Sequence, residues 1–198
     1  RLGTALGSPA LGLLSALFLL LTPRYYGHIF NNPKDLPFAV FYLWSIYAIV
    51  LCLSDLPGLG WKRIGLTGLA LGLALGTRVG GLVLFGYLGL FFLLRSLQII
   101  LQDKSQQPLD LLRQTIPQLV GIYAIAWLTM LIFWPTAQKA PLTFPIDALL
   151  NFARYGTPDF TTTFFQGKYI NITQVPRYYA PLWLLLALPE FLFLGLLA

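Results

Sequence analysis

Asp35 and Arg78 are the residues whose type and surroundings best suit chemistry. Asp35 stands between Pro33 and Pro37, directly before a hydrophobic run that continues to Leu53. A carboxylate held by flanking prolines at the mouth of an apolar segment can bind a divalent metal ion or orient a hydroxyl at little entropic cost. The position also suits a helix N-cap, because Pro37 fits a first turn and an aspartate there satisfies free backbone N–H groups. The two roles are compatible. Arg78 lies in TRVGG and is the only charge between Arg63 and Arg95. An arginine at membrane depth is costly and marks an anion site or a pathway, unless it snorkels from a helix end to the interface.

The tetrapeptide PRYY occurs twice, at Pro23 to Tyr26 and at Pro176 to Tyr179. Arginine forks bind phosphate through two parallel hydrogen bonds, and tyrosines line sugars or lipid head groups. Arg24 and Arg177 are therefore candidate phosphate ligands, with Tyr26, Tyr178 and Lys34 on the substrate side. An interfacial aromatic belt accounts for the same residues. Glu190 follows Pro189 inside the last apolar run, where it reads as a proton-linked site or a neutral acid bonded at a proline kink. His28 is the only histidine, so a histidine metal cluster is excluded and an interfacial role fits it better. Asn171-Ile172-Thr173 is a formal glycosylation sequon that carries little weight by itself.

The elements that position these residues are membrane helices. Hydrophobic residues make up 57% of the chain and charged ones only 10%, and the mean hydropathy is +0.73; soluble domains carry about 25% charge. Runs such as LGLLSALFLLL are apolar on every side, unlike the alternating strands of a membrane barrel. Cys52 is the only cysteine, so no internal disulfide forms. The net charge of +6 comes from basic residues scattered singly among aromatics and prolines, which argues against nucleic acid and for anionic lipid head groups. The chain begins at Arg1 without a methionine and ends within an apolar run, which reads as a piece of a longer protein.

Six candidate spans follow: Pro9 to Leu21, Pro37 to Leu53, Ile64 to Gly76, Val79 to Leu94, Ile116 to Trp134 and Tyr179 to Ala198. The expected fold is an all-α polytopic membrane protein, with residues 1–198 as a single transmembrane domain. Between Ile64 and Leu94, one continuous helix would be about 46 Å long, well beyond a hydrocarbon core of about 30 Å. A hairpin turning at Thr77 to Gly81 is therefore preferred. Gly68, Gly72, Gly76 and Gly80 recur every fourth residue, which lines missing side chains along one helix face for close packing.

With that hairpin, span alternation puts Asp35, Arg78 and the long stretch Pro135 to Tyr178 on one side. Arg1, Lys104 and the residues flanking the other turns take the opposite side. Lys62, Arg63, Arg95 and Arg113 favour that opposite side as cytoplasmic. The stretch 135–178 is too long for a connector. Ile146, Leu149, Leu150, Phe152 and Ala153 follow helical spacing, with Asp147 and Arg154 as polar positions, so a short amphipathic helix on the membrane surface is expected there. The aromatics of FTTTFFQGKYINITQVPRYYAPLW read as an interfacial belt.

PRYYGHIFNNPKDLPFAVF, GLALGTRVGGLVL and the pair WP followed by FFQGKYINITQVPRYYAPLWLLLALPE together resemble the membrane core of glycosyltransferase family 39. That family includes the protein O-mannosyltransferases, and the aminoarabinose transferase is a related enzyme of the same type C fold. The resemblance implies a polyprenyl- or dolichyl-phosphate sugar donor, membrane lipids as surroundings, and an acceptor protein or glycolipid on the extracytoplasmic face. A bacterial inner membrane is preferred to the endoplasmic reticulum. It implies no organic cofactor, and a divalent metal ion only at Asp35. Asp35 matches an acid of the second outer loop near the metal or donor phosphate, and Arg78 matches the basic residue of a TR or TK turn facing the donor. Arg177 and Tyr178 match less closely. The acidic pair that supplies the family's base, in a first outer loop, has no counterpart before Leu11. A transporter or flippase of lipid-linked sugars and a non-catalytic scaffold are the competing classes.

Overall fold

Helix dominates the computed structural model, which describes residues 1–102, 107–153 and 162–197. Lys104, Arg154 and Ala198, used in the readings above, lie outside those residues. The chain divides into two units, one of residues 1–31 and 151–198, the other of residues 32–150. In the first, a short helix α1 (Leu2–Leu6) precedes α2 (Pro9–Leu21). Ser8 caps α2, its hydroxyl accepting from the Leu11 N–H at 3.2 Å, and Pro9 takes a first-turn position that needs no N–H. Thr22 ends α2 in extended geometry, and Pro23 opens α3 (Pro23–Asn31), bent 66° from α2. PRYYGHIFN, expected as part of a water-facing connection, is thus helical.

The second unit is built on α4 (Asp35–Asp55), α5 (Trp61–Thr77), α6 (Leu82–Gln102, entered through a 3-10 turn at Val79–Gly81) and α7 (Pro108–Phe133). Arg63 pairs with Asp55 at 2.7 Å across the first turn, and Arg78 reaches Asp35 at the opposite end, so α4 and α5 are antiparallel. Arg95 Nε donates to the Leu53 carbonyl at 3.3 Å, which turns α6 back beside α4. The expected hairpin at Thr77 to Gly81 is therefore the structure adopted. A Cβ on Gly68 would meet Ile122 and Ile125, one on Gly72 would meet Ala126 and Thr129, and one on Gly76 would meet Met130 and Phe133. Contacts that advance together on both helices make α5 and α7 parallel, and the down-and-back order of the four helices is complete.

α5 is the core of this unit. Ala70, Leu71, Ala74 and Leu75 are fully buried on it; Leu71 and Ala74 pack with Leu84, Leu88, Ile122 and Ala126, and Leu75 with Met130 and Ala137. The glycine stripe works as expected at Gly68, Gly72 and Gly76, whose missing side chains let the α7 backbone come close. Gly80 does not belong to it, because α5 has ended at Thr77 and Gly80 faces Phe38 instead. Trp134 and Phe144 stack edge to face at 5.5 Å beyond the end of α7, where a 3-10 turn (Pro135–Lys139) leads to α8 (Phe144–Ala153). Trp127 Nε1 ties this connection down by donating to the Pro141 carbonyl at 3.0 Å. The expected surface helix is α8, and Ile146 and Leu150 stand half exposed on it.

The first unit resumes with a β-hairpin that the sequence reading missed. Strand β1 (Thr162–Phe165) pairs antiparallel with β2 (Lys168–Asn171), and Gln166 and Gly167 close the turn at φ 49° and 80°. Two successive positive φ values suit the right-handed twist of the strands. Phe165 is buried against Tyr179, their rings 5.0 Å apart. The chain ends in α9 (Tyr179–Ala187) and α10 (Glu190–Leu197), separated at Leu188 and Pro189.

Six spans are therefore too many. Among the described residues, three helical segments are long and apolar enough to cross a membrane, Asp35–Asp55, Val79–Gln102 and Pro108–Phe133, or four if the bent pair α2 and α3 counts as one. The expected span Ile64 to Gly76 is α5, whose 17 residues extend about 26 Å. Tyr179 to Ala198 is interrupted at Pro189, because proline cannot donate the helical hydrogen bond. The result is a predominantly helical chain, consistent with an all-α membrane protein, with three or four candidate spans in place of six and a small β-hairpin among the described residues.

Candidate functional site

The pair expected to carry chemistry meets at one end of the second unit. Arg78 is the single extended residue between α5 and the 3-10 turn, with φ −149° and ψ 142°. Its N–H still closes on the Ala74 carbonyl at 3.1 Å and its carbonyl accepts from the Gly81 N–H at 2.9 Å. The extended backbone directs the side chain off the helix axis toward the start of α4. There its Nη1 donates to Asp35 Oδ1. Both side chains remain open to solvent, at 37% exposure for Arg78 and 52% for Asp35.

Asp35 does not cap α4 with its side chain. That task belongs to Asn32, whose Oδ1 accepts from the Asp35 N–H at 2.9 Å, while its Nδ2 donates to Asp35 Oδ2 at 3.0 Å. Asn32 thus caps from just ahead of α4, with Pro33 and Lys34 in the turn between and Asp35 in the first helical turn. The sequence reading missed Asn32, although asparagine followed by proline and by an acid three residues on was the available signal. With the cap supplied by Asn32, the Asp35 carboxylate is free to face Arg78.

This arrangement gives each charge the partner that its neighbouring sequence lacks. Each neutralises the other. It also bears on a metal at Asp35, because Oδ1 accepts from Arg78 and Oδ2 from Asn32. Among the described residues no three His, Cys, Asp or Glu side chains gather to hold a metal ion. A cation bound at Asp35 would have to displace a guanidinium without help from a second carboxylate, so the donor set does not fit one and no step is derived through a metal.

Lys34 is exposed at the same end, one residue before Asp35. Phe38, one turn along α4, forms the wall facing the Val79–Gly81 turn, and its ring meets Tyr42 edge to face at 5.6 Å. Arg24 and Tyr26 lie exposed on α3, and Arg177 and Tyr178 lie exposed just before α9. All four belong to the unit of residues 1–31 and 151–198, and the Asp35–Arg78 site is built without them. Glu190, expected near mid-bilayer inside one helix, is instead the exposed first residue of α10, where a carboxylate favours the helix N-terminus.

What the geometry offers is a guanidinium and a carboxylate converging from two helices at one end of a membrane-type bundle. The guanidinium can receive a phosphate or carboxylate, and the carboxylate can accept a proton or hold the guanidinium in place. The chain matches no protein-family model, no curated protein and no solved structure.

Proposed function

We propose that this chain is the membrane core of a glycosyltransferase that moves a sugar from a polyprenyl- or dolichyl-phosphate donor to an acceptor hydroxyl at the extracytoplasmic face. One observation carries the reading: Asp35 and Arg78, 43 residues apart in sequence, meet at one end of three span-grade helices. The motifs around both residues are those that resemble family 39.

The chemistry follows from the donor. As the bond between the sugar carbon and the phosphate oxygen breaks, its electron pair passes to the phosphate, and the acceptor oxygen gives up its proton to a carboxylate while bonding to that carbon. A guanidinium beside the phosphate stabilises the charge that develops there. Arg78 takes that role. Lys34, exposed at the same end, serves the head-group side.

A scaffold reading is favoured by one feature, the mutual neutralisation of the pair, since a structural ion pair would look the same. Turnover separates the two. Membranes containing the whole protein, given radiolabelled polyprenyl-phosphate sugar, should transfer label to an acceptor. Arg78→Ala should lower the rate by about 10²–10³ with folding intact, by analogy with loss of one oxyanion donor. Lysine at 78 should restore part of it, because it keeps the charge and loses the fork. Full turnover in Arg78→Ala would remove the site from the mechanism.

A further inference from the structure

We infer that Asp35 is an internal rival of phosphate for Arg78, so that an entering phosphate group displaces the carboxylate from the guanidinium while Asn32 keeps that carboxylate in place. This rests on the glycosyltransferase reading for the identity of the phosphate's carrier, a lipid phosphate; the exchange itself rests on the pair.

Three features point to exchange rather than to a permanent brace. Arg78 uses one nitrogen on one oxygen of Asp35, and among the described residues its guanidinium has no other hydrogen-bond partner. A guanidinium has five N–H donors arranged as a fork, so most of its capacity is unused in this state. The pair is also open, with 37% of the Arg78 side chain and 52% of the Asp35 side chain exposed. An anion can therefore reach it without opening the core, and exposed pairs of this kind hold weakly.

The third feature decides which partner moves. Asp35 is anchored from its own helix by two hydrogen bonds with Asn32, at 2.9 and 3.0 Å. Arg78 sits on a short extended link with a long flexible stem. When phosphate arrives, the guanidinium swings to it and the carboxylate stays at the start of α4. Until then the carboxylate shields a cation that would otherwise attract any passing anion. A phosphate monoester presents three oxygens to the fork and carries more charge than a carboxylate, so it competes on better terms than chloride or acetate.

The rivalry has a sign that a bracing role lacks. If Asp35 occupies Arg78 for most of the time, the apparent affinity for phosphate is reduced by the fraction of Arg78 left free. The test is direct binding to the whole purified chain in nanodiscs, by calorimetry, with inorganic phosphate in one arm and an isoprenyl monophosphate in the other. Asp35→Asn should bind roughly three- to tenfold more tightly than the native chain, and Arg78→Ala should lose most of the binding. Tightening in both arms identifies a free phosphate site, and tightening with the isoprenyl compound alone identifies a lipid head group. Unchanged or weaker binding by Asp35→Asn, or no binding by any form, would overturn the rivalry. Should Asp35→Asn fold poorly, Asp35→Ser carries the same expectation. Tighter binding by Asp35→Asn together with absent sugar transfer by the native chain would leave the exchange standing and remove the glycosyltransferase reading.

Discussion

The turn that presents Arg78 depends on one atom that is missing from Gly81. A Cβ there would lie 2.6 Å from the Leu75 nitrogen, 2.7 Å from the Leu75 Cα and 2.8 Å from the Ala74 carbonyl carbon. All three are backbone atoms of the buried helix α5, so no side chain can rotate away. Bringing the 2.6 Å approach out to 3.4 Å requires a shift of about 0.8 Å between the turn and α5. Overpacking of this kind costs about 1–3 kcal/mol. In a chain of this size each kcal/mol lowers the melting temperature by about 2–4 °C, so Gly81→Ala should melt about 2–12 °C lower. Its neighbour supplies the control. A Cβ on Gly80 meets only the tip of Phe38, at an ordinary 3.6 Å, so Gly80→Ala should melt within about 2 °C of the native chain or slightly above it, since alanine restricts the unfolded chain. Melting followed by fluorescence-detected gel filtration in detergent measures both. Because the Gly81 N–H also bonds the Arg78 carbonyl at 2.9 Å, the shift should weaken phosphate binding in Gly81→Ala and spare it in Gly80→Ala. Equal melting temperatures for the two variants would refute the close approach, and with it the account of how Arg78 is positioned.

Along α5, Gly72→Ala should destabilise by about 1–3 kcal/mol, because its Cβ would fall 2.5 Å from the Ala126 carbonyl oxygen and 2.5 Å from Thr129 Cβ; Gly65→Ala, which meets nothing within 4 Å, should stay near native in the same melting assay. Asn32→Ala removes the α4 cap and should cost about 1 kcal/mol, seen as a lower melting temperature and faster amide exchange in the first turn of α4. In a Cys52→Ser background, cysteines at Lys34 and Gly80 should label from the same side of the membrane with an impermeant maleimide, and one at Gly58 from the other; labelling of Lys34→Cys and Gly80→Cys from opposite sides would contradict the hairpin.

The hairpin was legible because two independent signals agree. A helix from Ile64 to Leu94 is too long for a bilayer, and Arg78 with two following glycines marks the place to turn. The meeting of Asp35 with Arg78 was legible only as a shared membrane face, since nothing in sequence reports that an extended residue at 78 aims its side chain at α4. The cap was misassigned for a plain reason: Asp35 and Asn32 both favour N-caps, and the proline after each candidate differs in position. Pro33 directly follows Asn32, in the turn that leads into α4, whereas Pro37 lies two residues beyond Asp35 and inside the helix. Apolar runs were overcounted because hydropathy does not register a break. Pro189 divides the last run into helices of 9 and 8 residues, and the first run, Pro9–Leu21, forms a helix of only 13 residues. The β-hairpin was hidden by its aromatics, which suit a membrane belt and a strand equally.

The position of the charged pair follows from the packing of α5. Its glycines bring α7 within backbone contact, and its alanines and leucines fill the space toward α4 and α6. A helix packed on several sides by apolar neighbours has no room for an ionised side chain, whose burial without a partner is costly. The buried hydroxyl on it is small and already bonded: Thr67 Oγ1 lies 3.0 Å from Cys52 Sγ. Charge can therefore enter only where α5 ends, and it does so at both ends, through Arg63 with Asp55 and through Arg78 with Asp35. Yet the two ends differ in how the acid is held. Asp55 terminates α4, and among the described residues its carboxylate has a hydrogen bond only from Arg63, whereas Asp35 begins α4 and keeps a second bond from Asn32. Removing Arg63 would leave the Asp55 carboxylate without a hydrogen-bond partner among the described residues, but removing Arg78 leaves Asp35 still anchored. The Arg78 end is thus the one where the cation can leave and the carboxylate remain in register, which is the property an exchange site needs and a simple helix clamp does not.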